Sequence, residues 1–195
     1  MNSGINSCKD FAEFVSYIVI TISLFGLWVS YLLSRRQIHF SVMEKCIKDF
    51  RDFDKSTSKL SELNRAKQYI ELINEEFFYL ENNYLPFVVS VEWIDGMIDY
   101  LPFILKNGEF KKSKDLKEFD TIEKTNKLLI NYPRIRKVIQ LNKLVNYDRI
   151  YLEVDNEEKR LLRRNERDKL IYYIISNLNI GYVTKCRLKR IIPKR

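Results

Sequence analysis

The sequence predicts an all-α fold, with one N-terminal transmembrane helix followed by a cytosolic helical bundle of five or six helices. Three observations predict it. Phe14 to Leu33, FVSYIVITISLFGLWVSYLL, runs 20 residues without a charge. At about 1.5 Å per residue it covers the roughly 30 Å hydrocarbon core of a bilayer. Glycine and proline number only 5 and 4 in 195 residues, too few for the many turns of a β-rich fold. Leu63, Ala66, Ile70, Ile73, Phe77, Leu80 and Tyr84 recur at alternating steps of three and four, the spacing of an apolar stripe along a helix.

In chain order, residues 1–13 read as a short extracytoplasmic N-terminus and 14–33 as the span. Residues 34–181 read as a cytosolic helical domain and 182–195 as a basic C-terminal tail. Trp28 and Tyr31 lie near the downstream end of the span, where amphipathic rings favour the headgroup level. Arg35 and Arg36 flank it, followed by Lys45 and Lys48. Loops kept in the cytoplasm carry the Lys/Arg excess, so the N-terminus is expected outside the membrane and the domain on its cytoplasmic side. A cleaved signal peptide fits less well, because Lys9 is balanced by Asp10 and Glu13, and arginines stand where the cleavage site belongs. Within the span, Ser16, Val19, Ser23, Gly26, Ser30 and Leu33 form a heptad seam of small and hydroxylated residues. Such seams let helix backbones approach closely, which predicts self-association or docking onto a partner's span. In the competing reading, the hydroxyls bond back to their own helix.

No Gly or Pro occurs between Leu27 and Leu85, so the helix can continue past the span. Ile38, Val42, Met43, Cys46, Phe50 and Phe53 give it an apolar face. Lys55 to Ser58 supplies a break, with Ser58 a candidate N-cap for the stripe helix. Pro86 ends that helix and opens another, Phe87 to Asp99, centred on Trp93. Tyr84-Leu85-Pro86-Phe87 recurs as Tyr100-Leu101-Pro102-Phe103, suggesting two similar helix starts. Lys-rich Glu109 to Lys117 reads as an exposed loop, and Asp120 with Glu123 as a cap for a helix through Leu129. Pro133 opens a helix carrying Ile135, Val138, Ile139, Asn142 and Val145. Arg149 to Val154 is ambiguous, its Ile150 to Val154 alternating like a short strand. Asp155 with Glu158 reads as the cap of a long helix ending near Gly181. The expected core includes Leu63, Ile70, Ile73, Phe77, Trp93, Ile139, Ile174 and Leu178.

Charge is distributed unevenly around a net of +8. Residues 68–105 hold seven acids and no Lys or Arg, whereas 106–195 hold 24 basic and 12 acidic residues. Lys159, Arg160, Arg163, Arg164 and Arg167 fall on one side of a helix, the side that further along carries Ile171, Ile174, Ile175 and Leu178. Three partners suit these cations. The acidic segment of the same chain is preferred. Anionic lipid headgroups come next, each nearby cation contributing about 1 kcal/mol. Nucleic-acid phosphates are the third, with Lys185, Arg187, Lys189 and Arg190 enlarging the footprint.

Little in the chain suggests catalysis. There is no Gly-rich phosphate loop, nucleophile elbow or Glu-x-x-His element. His39 is the single histidine, and Cys8, Cys46 and Cys186 have no disulfide or zinc spacing. Glu92, Asp95 and Asp99 share a helix face, which suits a salt-bridged surface better than a metal site. The reading is a non-enzymatic protein without cofactor or metal. Its partners are the lipid bilayer and a protein partner or second copy met through the span. A membrane-tethered nucleic-acid binder is the alternative.

One family likeness goes further. The single span ending in basic residues, the helix after it, the run Leu72-Ile73-Asn74-Glu75-Glu76-Phe77-Phe78 and the downstream Trp93 resemble bacterial single-pass helical membrane proteins of the phage abortive-infection type. The likeness covers roughly residues 14–105. It implies an all-helical cytosolic domain and a role in antiphage defence, and it implies no catalytic residues.

Overall fold

A computed structural model describes residues 3–57, 61–101, 103–106, 109–112, 129–141 and 144–192. Among them are seven helices and one small sheet of three short strands, so the class is all-α. The chain divides into two compact units, Met1–Ser41 and Val42–Arg195.

The first unit is built on helix α1, Ser3–Thr57, which runs on into the second. Its large apolar side chains, including Phe14, Ile18, Ile22, Phe25 and Trp28, are exposed. This is the one helix among the described residues long and apolar enough to cross a membrane. So extended an apolar surface is not one that water favours.

In the second unit, α1 is followed by α2 (Glu62–Glu81), α3 (Phe87–Tyr100), β1 (Phe103–Lys106) and β2 (Glu109–Lys112). Then come α4 (Pro133–Val138), β3 (Gln140–Leu141), α5 (Tyr147–Ile150), α6 (Glu157–Asn177) and α7 (Tyr182–Ile191). The stripe of α2 buries Ala66, Ile70, Ile73, Phe77 and Leu80. They join Ile94 and Ile98 of α3, Ile135 and Val138 of α4, and Ile171, Ile174 and Ile175 of α6 in one core. Ile139 and Leu178 are buried there too, and Trp93 is partly buried. The side chain of Leu63 lies outside the described residues.

The end of α2 explains why the stripe stops before Tyr84. Asn83 takes a left-handed φ of 56°. Its N–H donates to Leu80 O at 3.2 Å, and Tyr84 N–H donates to Tyr79 O at 3.0 Å. This paired pattern closes a helix with a left-handed residue, a role Asn fills more easily than other non-glycine residues. The Tyr79 and Tyr84 rings meet across it at a tilt, centroids 6.3 Å apart. Pro86 then caps α3, as the sequence predicts.

Several expectations are corrected. The second Tyr-Leu-Pro-Phe copy does not start a helix: Leu101 caps the end of α3, and Phe103 begins β1. Residues 109–112 of the expected Lys-rich loop form β2, antiparallel to β1 from Phe103↔Lys112 to Lys106↔Glu109. A strand at a sheet edge is held by backbone pairing and tolerates lysine, so low apolar content hides it. β1 is central and also pairs in parallel with β3. The helix opened by Pro133 stops at Val138, because Gln140 and Leu141 join this sheet. The alternating Ile150–Val154 is no strand, since Ile150 ends α5 and is fully buried.

Helix α6 starts one residue later than Asp155 suggested. Asn156 is its cap, its side chain accepting from Lys159 N–H at 2.9 Å. The helix ends at Asn177 rather than near Gly181. The cap of α2 is Ser61, with no side-chain bond, and Ser58 lies outside the described residues, as does the capping pair Asp120–Glu123. From residue 182 the expected tail is, over Tyr182–Ile191, helix α7. Leu188 and Ile192 are buried on that side of the chain, so apolar anchoring makes it part of the domain.

Candidate functional site

Two of the cations singled out by the sequence, Arg163 and Arg167, meet the acidic segment at a cleft of about 440 Å³ between α3 and α6. Asp95 and Asp99 are one turn apart on α3; Arg163 and Arg167 are one turn apart on α6. Arg167 Nε lies 2.7 Å from Asp95 Oδ1 and its Nη1 2.5 Å from Asp99 Oδ1. Its Nη2 donates to the backbone oxygen of Asp95. Arg163 Nη2 reaches Asp99 Oδ1 at 2.9 Å. Arg167 is only 6% exposed, a depth at which an arginine requires this many acceptors.

The same face of α6 therefore does one job in two chemistries. Toward its N-terminus it is tied to α3 by charge, and toward its C-terminus it buries Ile171, Ile174 and Ile175. Glu166, beside Arg167 in sequence, is also buried. Burial works against its charge, but the Asn146 N–H and the Lys169 ammonium, both at 2.9 Å, together with Arg149, hold its carboxyl below the usual range.

The other cations are spent locally. Lys159 pairs with Asp155 and Arg160 with Glu157, both within α6's first turns and both exposed to solvent. On α7, Lys185 Nζ donates to Ser176 O at 2.9 Å, a last-turn carbonyl of α6 that its helix leaves open. Lys189 sits 4.0 Å from the Tyr172 ring centroid and Arg187 5.8 Å from that of Phe87. These contacts pin α7 to α6 and α3. Among the described residues, Arg164 and Arg190 are the two of the nine candidate cations with no ion pair, hydrogen bond or ring contact. Both are exposed.

The remaining acids are likewise engaged. Glu81 binds Arg134 Nε at 2.8 Å and accepts from Asn179 N–H at 2.8 Å, joining α2 to α4 and to the α6–α7 turn. Glu71 accepts from the Tyr132 hydroxyl at 2.9 Å. Glu75 pairs with Lys45 and accepts from Tyr79, and the lysine holds its carboxyl below the usual range. Sequence reasoning found this acid–base pairing from charge segregation, but it missed that α7's cations bind rings and a carbonyl.

In the first unit, Ser16 donates to Glu13 O at 2.7 Å and Ser23 to Val19 O at 2.8 Å. Both hydroxyls thus bond to their own helix. Gly26 has open space where a Cβ would stand, and Ser30, Arg35 and Arg36 are exposed. Among the described residues no group of three or more His, Cys, Asp or Glu could hold a metal ion. No family model, curated protein or solved structure matches this chain.

Proposed function

We propose that the chain is a non-enzymatic membrane-anchored interaction protein. In this reading it is the partner-docking or membrane-acting component of a bacterial antiphage defence system. The observation that carries the anchoring is the exposed, uncharged face of α1 from Phe14 to Leu33. The Arg35–Arg36 flank supports an inner-membrane location with the N-terminus outside. The interaction role is supported by a domain whose polar clusters are turned to holding helices together rather than converging on a reactive centre. The defence role rests on the resemblance of residues 14–105 alone.

Nucleic acid binding is the weaker reading, since most of the cations proposed for it are engaged within the domain. Phosphate binding by several cations would fall steeply with salt. The full chain in nonionic detergent is expected to bind neither DNA nor RNA in a salt-sensitive manner, and such binding, lost on Arg164→Ala with Arg190→Ala, would reverse the preference. In bacteria, full-length protein should lower phage plating, and deletion of residues 14–33 should abolish this. Unchanged plating would remove the defence role. Protease added to inside-out vesicles should digest the 42–195 unit, and its protection would overturn the topology.

A further inference from the structure

The second unit contains another cavity, apart from the charged cleft. It measures about 480 Å³ and lies among α1, α2 and α3. Phe50, Tyr69, Trp93 and Tyr100 present rings to it, Met97 adds a thioether, and Glu76 is the buried polar group of its lining. Three of the rings are in contact: Phe50 meets Tyr100 edge-on at 5.1 Å, and Tyr69 lies 5.9 Å from Tyr100. Tyr69's hydroxyl is occupied, donating to Met97 O at 3.1 Å, so its ring rather than its oxygen serves the cavity. Glu76 is 4% exposed, and the Trp93 indole beside it favours its ionised form.

We propose that this cavity binds a small hydrophobic organic cation, an amine or quaternary ammonium, with its charge against Glu76 and its body among the rings. Three features select the charge. Ring faces carry negative potential and attract a cation, most strongly where water is excluded. Arg51 and Glu92 also line the cavity and offset one another formally, so Glu76 leaves the lining with a net negative charge. A neutral apolar guest would bury that carboxylate further without supplying a counter-charge, and an anion would meet it directly. The volume suits a guest of drug-like or smaller size.

The pH dependence follows from the groups around Glu76. Cys46 and Asp49 of α1, Tyr69 and Glu75 of α2 and Trp93 of α3 act on it, and Arg51, Glu92 and Tyr100 share the cavity lining. Burial pushes the Cys46 thiol up to about 12 and the Tyr69 phenol well above its ordinary value, so both stay neutral. Burial, with Asp49 and Glu75 adding to it and the Trp93 indole opposing, lifts Glu76 to about 7. A bound cation favours the ionised carboxylate, so affinity should rise between pH 6 and pH 8.

The test uses the full chain in maltoside micelles with Trp28→Phe, which leaves Trp93 as the single tryptophan of the original 2. Benzyltrimethylammonium is titrated against Trp93 fluorescence, alongside its carbon isostere neopentylbenzene and the anion 3-phenylpropionate. Saturable binding of the cation is expected, about tenfold tighter than the isostere, stronger at pH 8 than pH 6, and weakened by Glu76→Gln. The pH comparison on the protein with Glu76 intact keeps the test independent of how that variant folds. Equal or tighter binding of the isostere or the anion, affinity flat with pH, or no binding at millimolar cation would each overturn the proposal.

Discussion

Arg167 and Asp95 stand 72 residues apart in sequence and 2.7 Å apart in space, the arginine side chain only 7% exposed and the carboxylate 23%. Removing the arginine takes the most buried cation from between two acids at a helix interface. Arg167→Ala should destabilise the domain by about 2–3 kcal/mol, below the value for a fully buried pair because the aspartates keep some water. Arg163→Ala, at the rim of the same cluster, should cost less than about 1 kcal/mol. Denaturant melts followed by circular dichroism in nonionic detergent would check both, and equal losses would show that depth does not govern this network.

Glu76 gives the domain an unusual pH response. Its folded carboxyl is raised to about 7 from 4.5, chiefly by burial. A raised acid favours the fold below its unfolded value, and that contribution is lost as pH rises through the folded value. Between pH 4.5 and pH 7 the loss is on the order of 3 kcal/mol. Glu76→Gln should therefore raise the melting temperature at pH 8 and change it little at pH 5. A variant that is less stable at pH 8 would contradict this.

Asn83 should tolerate glycine and reject branched residues. Its φ of 56° suits Asn and Gly, whereas a β-branched side chain there costs about 1–2 kcal/mol. Asn83→Gly is expected to leave the melting midpoint unchanged or slightly raised, and Asn83→Val to lower it clearly.

At the start of α6, the cap and the neighbouring ion pair can be separated. Asn156→Ala should cost about 1 kcal/mol, since Lys159 N–H loses its acceptor. Asp155→Ala removes a fully solvated pair and should have little effect. Thermal melts of the two single variants distinguish a cap at 156 from one at 155.

Self-association through the span has a specific signature. With Ser16 and Ser23 bonded to their own helix, close approach depends chiefly on small size, so Gly26→Leu should weaken cross-linking of residues 1–40 more than any single Ser→Ala. Equal signals, or none from the wild type, would remove the seam.

The apolar spacing made the helices legible because burying one face imposes a 3.6-residue period, which α2 follows along its buried stripe and α6 in its second half. Pro86 was equally readable, since its ring restricts the chain locally. The sheet was not readable, because β2 is held by backbone groups that every residue carries. The start of α6 was misplaced by one residue because Asn156 and Asp155 are both good caps, and only the geometry selects between them. Charge segregation announced the Asp95–Arg167 cluster, but nothing in the spacing revealed that Glu76 sits at a ring-lined cavity, which requires three helices to be packed first.

The separation of Asp95 from Arg167 also orders events in time. Synthesis proceeds from the amino end at roughly 5–20 residues per second, so the aspartate waits roughly 4–14 s on the ribosome before the arginine 72 residues later is made. Throughout that interval α3 carries an acidic wall with no counter-ions from α6, while α1 is already available to a translocon. In the proposed anchoring, α1 can therefore enter a membrane before α6 exists to close the domain, and a nascent chain halted before α6 would be anchored but open.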